Sequence, residues 1–295
     1  MEKIVVPCSS SPSLARSVSD VLGAQVAEVE RKRFPDGEMY VRVLSDVAGR
    51  EAFVLGNTNR DDAYLELLLT LDACRENGAS RVIAVVPYFG YARQHMVYKR
   101  GEAVSSKVMT LTIGEFADRI ITVEIHDEMT LKYSKRPFMN VSVYESMSAY
   151  YSRKGVDLVV SPDDGGLHRA EMLAKGLECD FFAINKKRID SRTVSMEVPN
   201  VDVKGKRVLL VDDIISTGGT IAKAASLLRD MGASSVYVTA VHGVFANNSV
   251  SKIQEVVDEV AVTNTIEGIF SKIDIAPELA SAMEVYMDGR IPEKL

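Results

Sequence analysis

Short apolar runs recur along the chain at Ile4 to Val6, Ala52 to Leu55, Val82 to Val86, Ile120 to Val123, Leu158 to Val160, Val208 to Val211, Val236 to Val241 and Val260 to Val262. Most are continuous rather than alternating, the pattern of a strand buried on both faces of a parallel sheet. Helix-periodic stretches lie between most of them, so the chain reads as α/β, with mainly parallel sheets flanked by helices. No apolar run is long enough to span a bilayer.

The pattern repeats. Arg75-Glu-Asn-Gly-Ala-Ser-Arg-Val82 aligns with Arg229-Asp-Met-Gly-Ala-Ser-Ser-Val236 at an offset of 154 residues. Both copies end a helix, at Gly78 or Gly232, and then start an apolar strand. Extended backward without gaps, the register sets Val54 and Leu55 on Val208 and Leu209, and the helix around Tyr64 to Cys74 on the helix after Gly219. The expectation is two related domains, 1–148 and 149–295, joined near Tyr150 without a low-complexity linker.

The copies differ in chemistry. In the second, Val208 to Val211 leads to Asp212 and Asp213 at the carboxyl end of a strand, where open α/β sheets place ligands. Ser216, Thr217, Gly218, Gly219 and Thr220 then open a helix. Paired glycines let backbone N–H groups converge on an anion, the hydroxyls add donors, and the helix N-terminus adds partial positive charge. Carboxylates beside a phosphate cradle make sense once sugar hydroxyls and Mg2+ are included, which points to a ribose 5-phosphate moiety. The first copy has Asn57, Thr58 and Asn59 near the acid pair's position and no paired glycines.

Other segments carry further candidates. Ser161-Pro-Asp-Asp-Gly-Gly166 is a second phosphate-capable turn, with Asp163 placed for metal. His126 ends the strand-like run from Ile121. Arg33-Phe-Pro-Asp-Gly-Glu38 sets an aromatic between a cation and two acids, as a nucleobase reader could. Arg93 and Gln94 follow Val82 to Val86 through an aromatic turn, a natural triphosphate clamp. No GxxxxGK[ST] sequence occurs, which excludes a Walker loop.

Composition narrows the partners. The 295 residues carry a formal charge of −6, against a general nucleic-acid or anionic-membrane binder. Three basic knots stand out all the same: Arg31, Lys32 and Arg33; Arg93, Lys99 and Arg100; Lys186, Lys187 and Arg188. Together they suit a polyphosphate substrate. Cys8, Cys74 and Cys179 are too few and too dispersed for a disulfide framework or a Cys-rich metal site. The opening MEKIVVPCSSS has no signal-peptide character, and the expected location is the cytoplasm.

Taken in order, RFPDGE (33–38), PYFGYARQ (87–94), the strand with His126, SPDDGG (161–166), NKKR (185–188), VDDIISTGGT (211–220) and VTNTI (262–266) resemble the ribose-phosphate diphosphokinases, which make 5-phosphoribosyl 1-diphosphate (PRPP). The resemblance covers nearly the whole chain. It implies two phosphoribosyltransferase-like domains, the first degenerate and on the ATP side, and transfer of a diphosphoryl group from Mg2+-ATP to ribose 5-phosphate. It also implies a homo-oligomer, at least a dimer, in which Phe34, Asp36 and Glu38 hold adenine for a neighbouring subunit. Arg93 and Gln94 would contact ATP, and His126 and Asp163 would position Mg2+. Asp212 and Asp213 would hold the ribose, Ser216 to Thr220 its 5-phosphate. Lys186 and Arg188, on a loop, would stabilise the transferring group, and the tail from Ala276 would return to the first domain. Alternatives are a phosphoribosyltransferase that consumes PRPP and a silent regulatory homologue; retention of both NKKR and His126 speaks against the latter. Two departures from the family pattern are visible: His95 where an Asp is usual, and Asp127-Glu128 where small residues follow the His. The IISTGGT loop resembles the archaeal branch.

Overall fold

A computed structural model describes residues 2–188, 194–197, 201–247 and 249–287, and among these the side chains at 185–188, 194–197, 286 and 287 lie outside the description. The chain divides into two compact units. One comprises the residues up to Ser142, Thr265–Glu267 and the chain from Ile275 onward; the other comprises Val143–Asn264 and Gly268–Asp274.

In the first unit the elements run β1 (Lys3–Pro7), α1 (Pro12–Leu22), β2 (Gln25–Val26), β3 (Val29–Arg33), β4 (Met39–Val43), β5 (Glu51–Leu55), α2 (Asp61–Glu76), β6 (Arg81–Val86), α3 (Ser105–Phe116), β7 (Arg119–Val123) and β8 (Phe138–Val141). Six strands form a parallel sheet in the order β2-β1-β5-β6-β7-β8, while β3 and β4 pair apart as an antiparallel hairpin. Every residue of β5 is buried, as its unbroken apolar run requires of a central parallel strand.

The second unit follows with α4 (Tyr144–Ser152), β9 (Leu158–Ser161), α5 (Leu167–Leu177), β10 (Asp180–Ala183), β11 (Asn185–Arg188), β12 (Val194–Glu197), β13 (Arg207–Ile215), α6 (Gly219–Asp230), β14 (Ser235–Gly243), α7 (Ser249–Gln254), β15 (Glu259–Thr263) and β16 (Ser271–Ile273). Its sheet has the order β10-β9-β13-β14-β15-β16, again parallel. Each sheet therefore reads 2-1-3-4-5-6 when its own strands are numbered along the chain. The last helix, α8 (Ala276–Met287), belongs to the first unit and packs on α1. Among the described residues no helix is long and apolar enough to cross a membrane.

The duplication extends to individual bonds. The Arg75 guanidinium donates to Phe116 O and pairs with Asp118 at 3.1 Å, while Asp118 accepts the Val82 N–H at 2.8 Å. In the second unit Arg229 donates to Val256 O and pairs with Asp258, which accepts the Val236 N–H at 2.7 Å. Thr122 Oγ1 donates to Val86 O at 2.8 Å, and Thr263 Oγ1 to Val241 O at 2.7 Å. These bonds tie β6 to β7 and β14 to β15 in the same way.

The ungapped alignment needs one correction. Glu51 pairs with Arg81, and Arg207 pairs with Ser235. The offset is thus 154 in β6 and β14 but 156 in β5 and β13, so Val54 and Leu55 correspond to Leu210 and Val211. A two-residue slip keeps every side chain on its face of the sheet, so alternation alone cannot register it. The extra two residues lie between β5 and the end of α2, a helix of 16 residues against 12 in α6.

Candidate active site

In the order 2-1-3-4-5-6 the topology reverses between the first and third strands, and open α/β sheets bind ligands in the crevice outside their carboxyl ends. In the second unit that crevice lies between the turns after β9 and β13. β13 is longer than its apolar run implied. Its pairing with β9 stops at Leu210, but pairing with β14 continues from Asp212–Ala240 to Ile215–Gly243. Asp212 and Asp213 are therefore inside the strand, at the place where it has lost one neighbour.

The two acids are not equivalent. Asp213 is buried and forms an ion pair with Arg169 Nη2 at 3.2 Å. Asp212 is half-buried and accepts the Asp213 N–H at 2.9 Å. Burial, and then the negative charge of Asp213, raise its carboxyl from 3.8 to about 7. Asp212 is the acid that a cation or a sugar hydroxyl would relieve.

Arg169, in the first turn of α5, also donates from Nη1 to Gly165 O at 3.2 Å. It staples the acid pair to the turn that carries Asp163. That turn is compact: Ser161 Oγ donates to Asp163 O at 2.7 Å, the Gly166 N–H donates to the same oxygen at 3.2 Å, and any side chain on Gly166 would collide with Ser161 Oγ.

The Ser216–Thr220 segment is the helix entry expected. Gly218 caps α6 with φ +71°, and a β-carbon there would lie 2.8 Å from Ile253 Cδ1. A β-carbon on Gly219 would meet nothing within 4 Å. The chain is packed tight behind Gly218 and open in front of Gly219. Among the described residues the hydroxyls of Ser216, Thr217 and Thr220 hold no hydrogen bond, and the first-turn N–H groups of a helix have no intrahelical acceptor. Donors thus converge on an open space. The loop behind is braced by Val244 and Phe245 N–H groups on Ile215 O and by Ala246 N–H on Ser216 O, each 3.0 Å.

The corresponding crevice of the first unit is filled by its own bonds. Asn57, which corresponds to Asp213, donates from Nδ2 to Thr265 O at 2.8 Å, accepts the Tyr88 N–H at 2.7 Å, and its N–H donates to Ser10 Oγ at 2.8 Å. The N-terminal N–H groups of Ser13 and Leu14 in α1 donate to Glu267 Oε1 at 2.7 and 2.9 Å. A carboxylate of the chain itself sits where an anion would bind.

The remaining candidates of the first unit divide into exposed and engaged groups. Phe34, Asp36 and Glu38 form the exposed tip of the β3–β4 hairpin, closed by Phe34 N–H on Glu38 O at 2.8 Å; Phe34 stands 44% exposed, edge-on to Tyr40. Arg93 is exposed and has no protein partner among the described residues. Gln94 does not share that freedom. Its Nε2 donates to Glu102 Oε2 at 3.1 Å and to Met96 O at 3.0 Å, which spends the amide on closing its own loop. Arg31 is likewise engaged, with Glu66 and Pro7 O, so the first basic knot partly serves the fold.

His126 is not on a strand. β7 ends at Val123, Glu124 turns to φ +38°, and His126 lies in the loop beyond. His126 belongs to the first unit and Asp163 to the second. Lys186 and Arg188 are on β11, which pairs with β12 as an antiparallel ribbon rather than forming a plain loop; their side chains lie outside the described residues.

The N-terminal domain of ribose phosphate pyrophosphokinase matches residues 3–129, and a phosphoribosyl transferase domain matches residues 143–271. The ribose-phosphate pyrophosphokinase of Thermoplasma acidophilum is 48% identical over 92% of this chain and 95% of its own length. The chain belongs to the ribose-phosphate pyrophosphokinase family. The enzyme of that name from Thermococcus kodakarensis is 45% identical over 87% of this chain and 92% of its own. The crystal structure of phosphoribosylpyrophosphate synthetase from Mycobacterium smegmatis superposes with a TM-score of 0.86 at 30% identity, covering 98% of this chain and all of that one.

Within this pyrophosphokinase, Arg169 is the site residue that sequence reasoning missed. A signal existed, since an arginine in the first turn of a helix opposes the helix dipole and is misplaced unless an anion is near. Here that anion is Asp213.

Proposed function

We propose that the chain makes PRPP and AMP from ATP and ribose 5-phosphate. The observation that carries this reading is the asymmetric pair of crevices, one of each duplicated fold: the second presents unpartnered donors and a strained acid pair, the first is closed by its own side chains. A phosphoribosyltransferase needs only the second.

Ser216 to Thr220 hold the 5-phosphate with hydroxyls and helix-entry N–H groups, and Asp212 and Asp213 accept from the ribose hydroxyls. Arg169, paired with Asp213, keeps that carboxylate aimed. Arg93 pairs with the polyphosphate, and the hairpin tip with Phe34, Asp36 and Glu38 completes the adenine site of a second subunit, so the working unit is at least a dimer. The ribose 1-hydroxyl oxygen bonds to the β-phosphorus and gives up its proton to solvent as the bond from the β-phosphorus to the α–β bridging oxygen breaks, and that oxygen leaves with AMP. Lys186 and Arg188 balance charge spreading over the transferred group.

The donor set suits Mg2+. Among the described residues no three His, Cys, Asp or Glu side chains converge on one point, and Mg2+ usually keeps waters while binding one or two carboxylates plus substrate phosphates. Asp163, in the second unit, and His126, in the first, are the groups that would hold it, directly or through water. When bound, the ion neutralises phosphate charge and orients the polyphosphate. The product serves nucleotide biosynthesis in the cytoplasm.

Incubation with ATP, Mg2+ and ribose 5-phosphate, with AMP and PRPP measured, tests the reading. Equal amounts of both are expected. AMP without PRPP, or neither, refutes it.

A further inference from the structure

His95 and Asp127 are separated by 31 residues of chain. They meet. His95 Nε2 is 3.4 Å from Asp127 Oδ2, and the Tyr98 hydroxyl lies 3.2 Å from the same nitrogen. We propose that His95 is a positioning residue for ATP, holding the Arg93 segment against the turn that follows His126. The inference rests on the assignment of Arg93 to ATP made above.

The local bonds support a brace rather than simple filler. His95 is buried, yet its ring meets a carboxylate and a phenol instead of an apolar wall. Its main-chain carbonyl accepts the Tyr133 hydroxyl at 2.7 Å, from the far end of the short helical turn that Asp127 begins. Asp127 in turn accepts the Met129 N–H at 2.8 Å on Oδ1, leaving Oδ2 for the histidine. On the other side of Arg93, Tyr91 is held at φ +62° and donates its hydroxyl to Asp61, while Gly90 N–H donates to Thr58 Oγ1 at 2.8 Å. Arg93 hangs between two anchors, one on α2 and one on the His126 turn. Free of a protein partner, it depends on those anchors for direction.

The two positions are also linked by sign. With Asp at 95, two carboxylates would face each other across a buried contact; a small residue at 127 removes the conflict. This defines the test. His95→Asp is expected to raise KM for ATP at least tenfold while KM for ribose 5-phosphate stays within twofold, and His95→Asp with Asp127→Ala to recover most of the loss. In a cycle of Arg93→Ala and His95→Ala, the second change should add less than threefold once the first is present, since the group being positioned is gone. If His95→Ala does not fold, His95→Leu, which keeps the volume and removes the polar contact, takes its place in the cycle. Independent, multiplicative effects, or equal changes in both KM values, overturn the proposal. Arg93→Ala with an unchanged KM for ATP would instead overturn the assignment of Arg93 itself.

Discussion

Asp212→Asn should make the ligand-free protein more stable. In the folded chain the carboxyl titrates near 7 rather than 3.8, because it is buried beside Asp213. It binds its proton more tightly folded than unfolded, so stability falls as pH rises from about 4 to about 7 and then levels off. Three pH units correspond to roughly 4 kcal/mol. Asn can still accept the Asp213 N–H, so the substitution removes the charge and keeps the bond. A gain of roughly 2–4 kcal/mol above pH 7 is expected, or about 5–15 °C in Tm. Thermal unfolding followed by circular dichroism at pH 4, 6 and 8, with and without ribose 5-phosphate and Mg2+, checks it. The advantage should be near zero at pH 4, grow through pH 6 and be full at pH 8, and ligand should stabilise the wild type more than the variant. An equal advantage at pH 4 and 8, or a loss of stability at pH 8, refutes the reasoning.

Asp213→Asn should act oppositely, losing about 1–3 kcal/mol because Arg169 loses its partner, measurable in the same melts. Gly218→Ala should destabilise by about 1–3 kcal/mol through left-handed strain and the clash with Ile253, whereas Gly219→Ala should leave Tm nearly unchanged and raise KM for ribose 5-phosphate at least tenfold; steady-state kinetics beside denaturant curves separate the two. Lys186→Ala should lower kcat by roughly 10²–10³-fold with little change in ribose 5-phosphate affinity, read by single-turnover kinetics and calorimetry. Dilution to monomer should abolish activity if Phe34, Asp36 and Glu38 serve a neighbour; a fully active monomer in sedimentation velocity would exclude that role.

What the sequence made legible follows from where its signals are local. Every apolar run is a strand because continuous burial leaves a local mark, and Gly218-Gly219 announced a helix entry because only glycine tolerates that turn. Side-chain direction left no such mark. Nothing near Arg31 announces Glu66, which chain brought back from elsewhere supplies, and the local capture of the Gln94 amide by Glu102 depends on a loop without periodicity. The Arg169–Asp213 and His95–Asp127 pairs are long-range for the same reason. The span of β13 beyond Val211 was hidden because two acids interrupt the apolar pattern while the backbone pairing with β14 runs on.

The return of α8 to α1 bears on the order of assembly during synthesis. Leu14, Ala15 and Val18 of α1 are buried together with Leu279, Ala280 and Met283 of α8 in the same unit. The β1–β8 part of the first unit is translated before the second unit, yet α8 and the carboxylate that closes α1, Glu267, are translated after nearly all of it. The intervening unit has nearly all of its sequence available before then. Folding on the ribosome should therefore finish in inverse order, the inserted unit first and the enclosing one only once α8 has emerged. Nascent chains stalled before Ala276 should carry a protease-resistant second unit and a first unit with an uncovered apolar face on α1, a target for chaperones until the last helix docks.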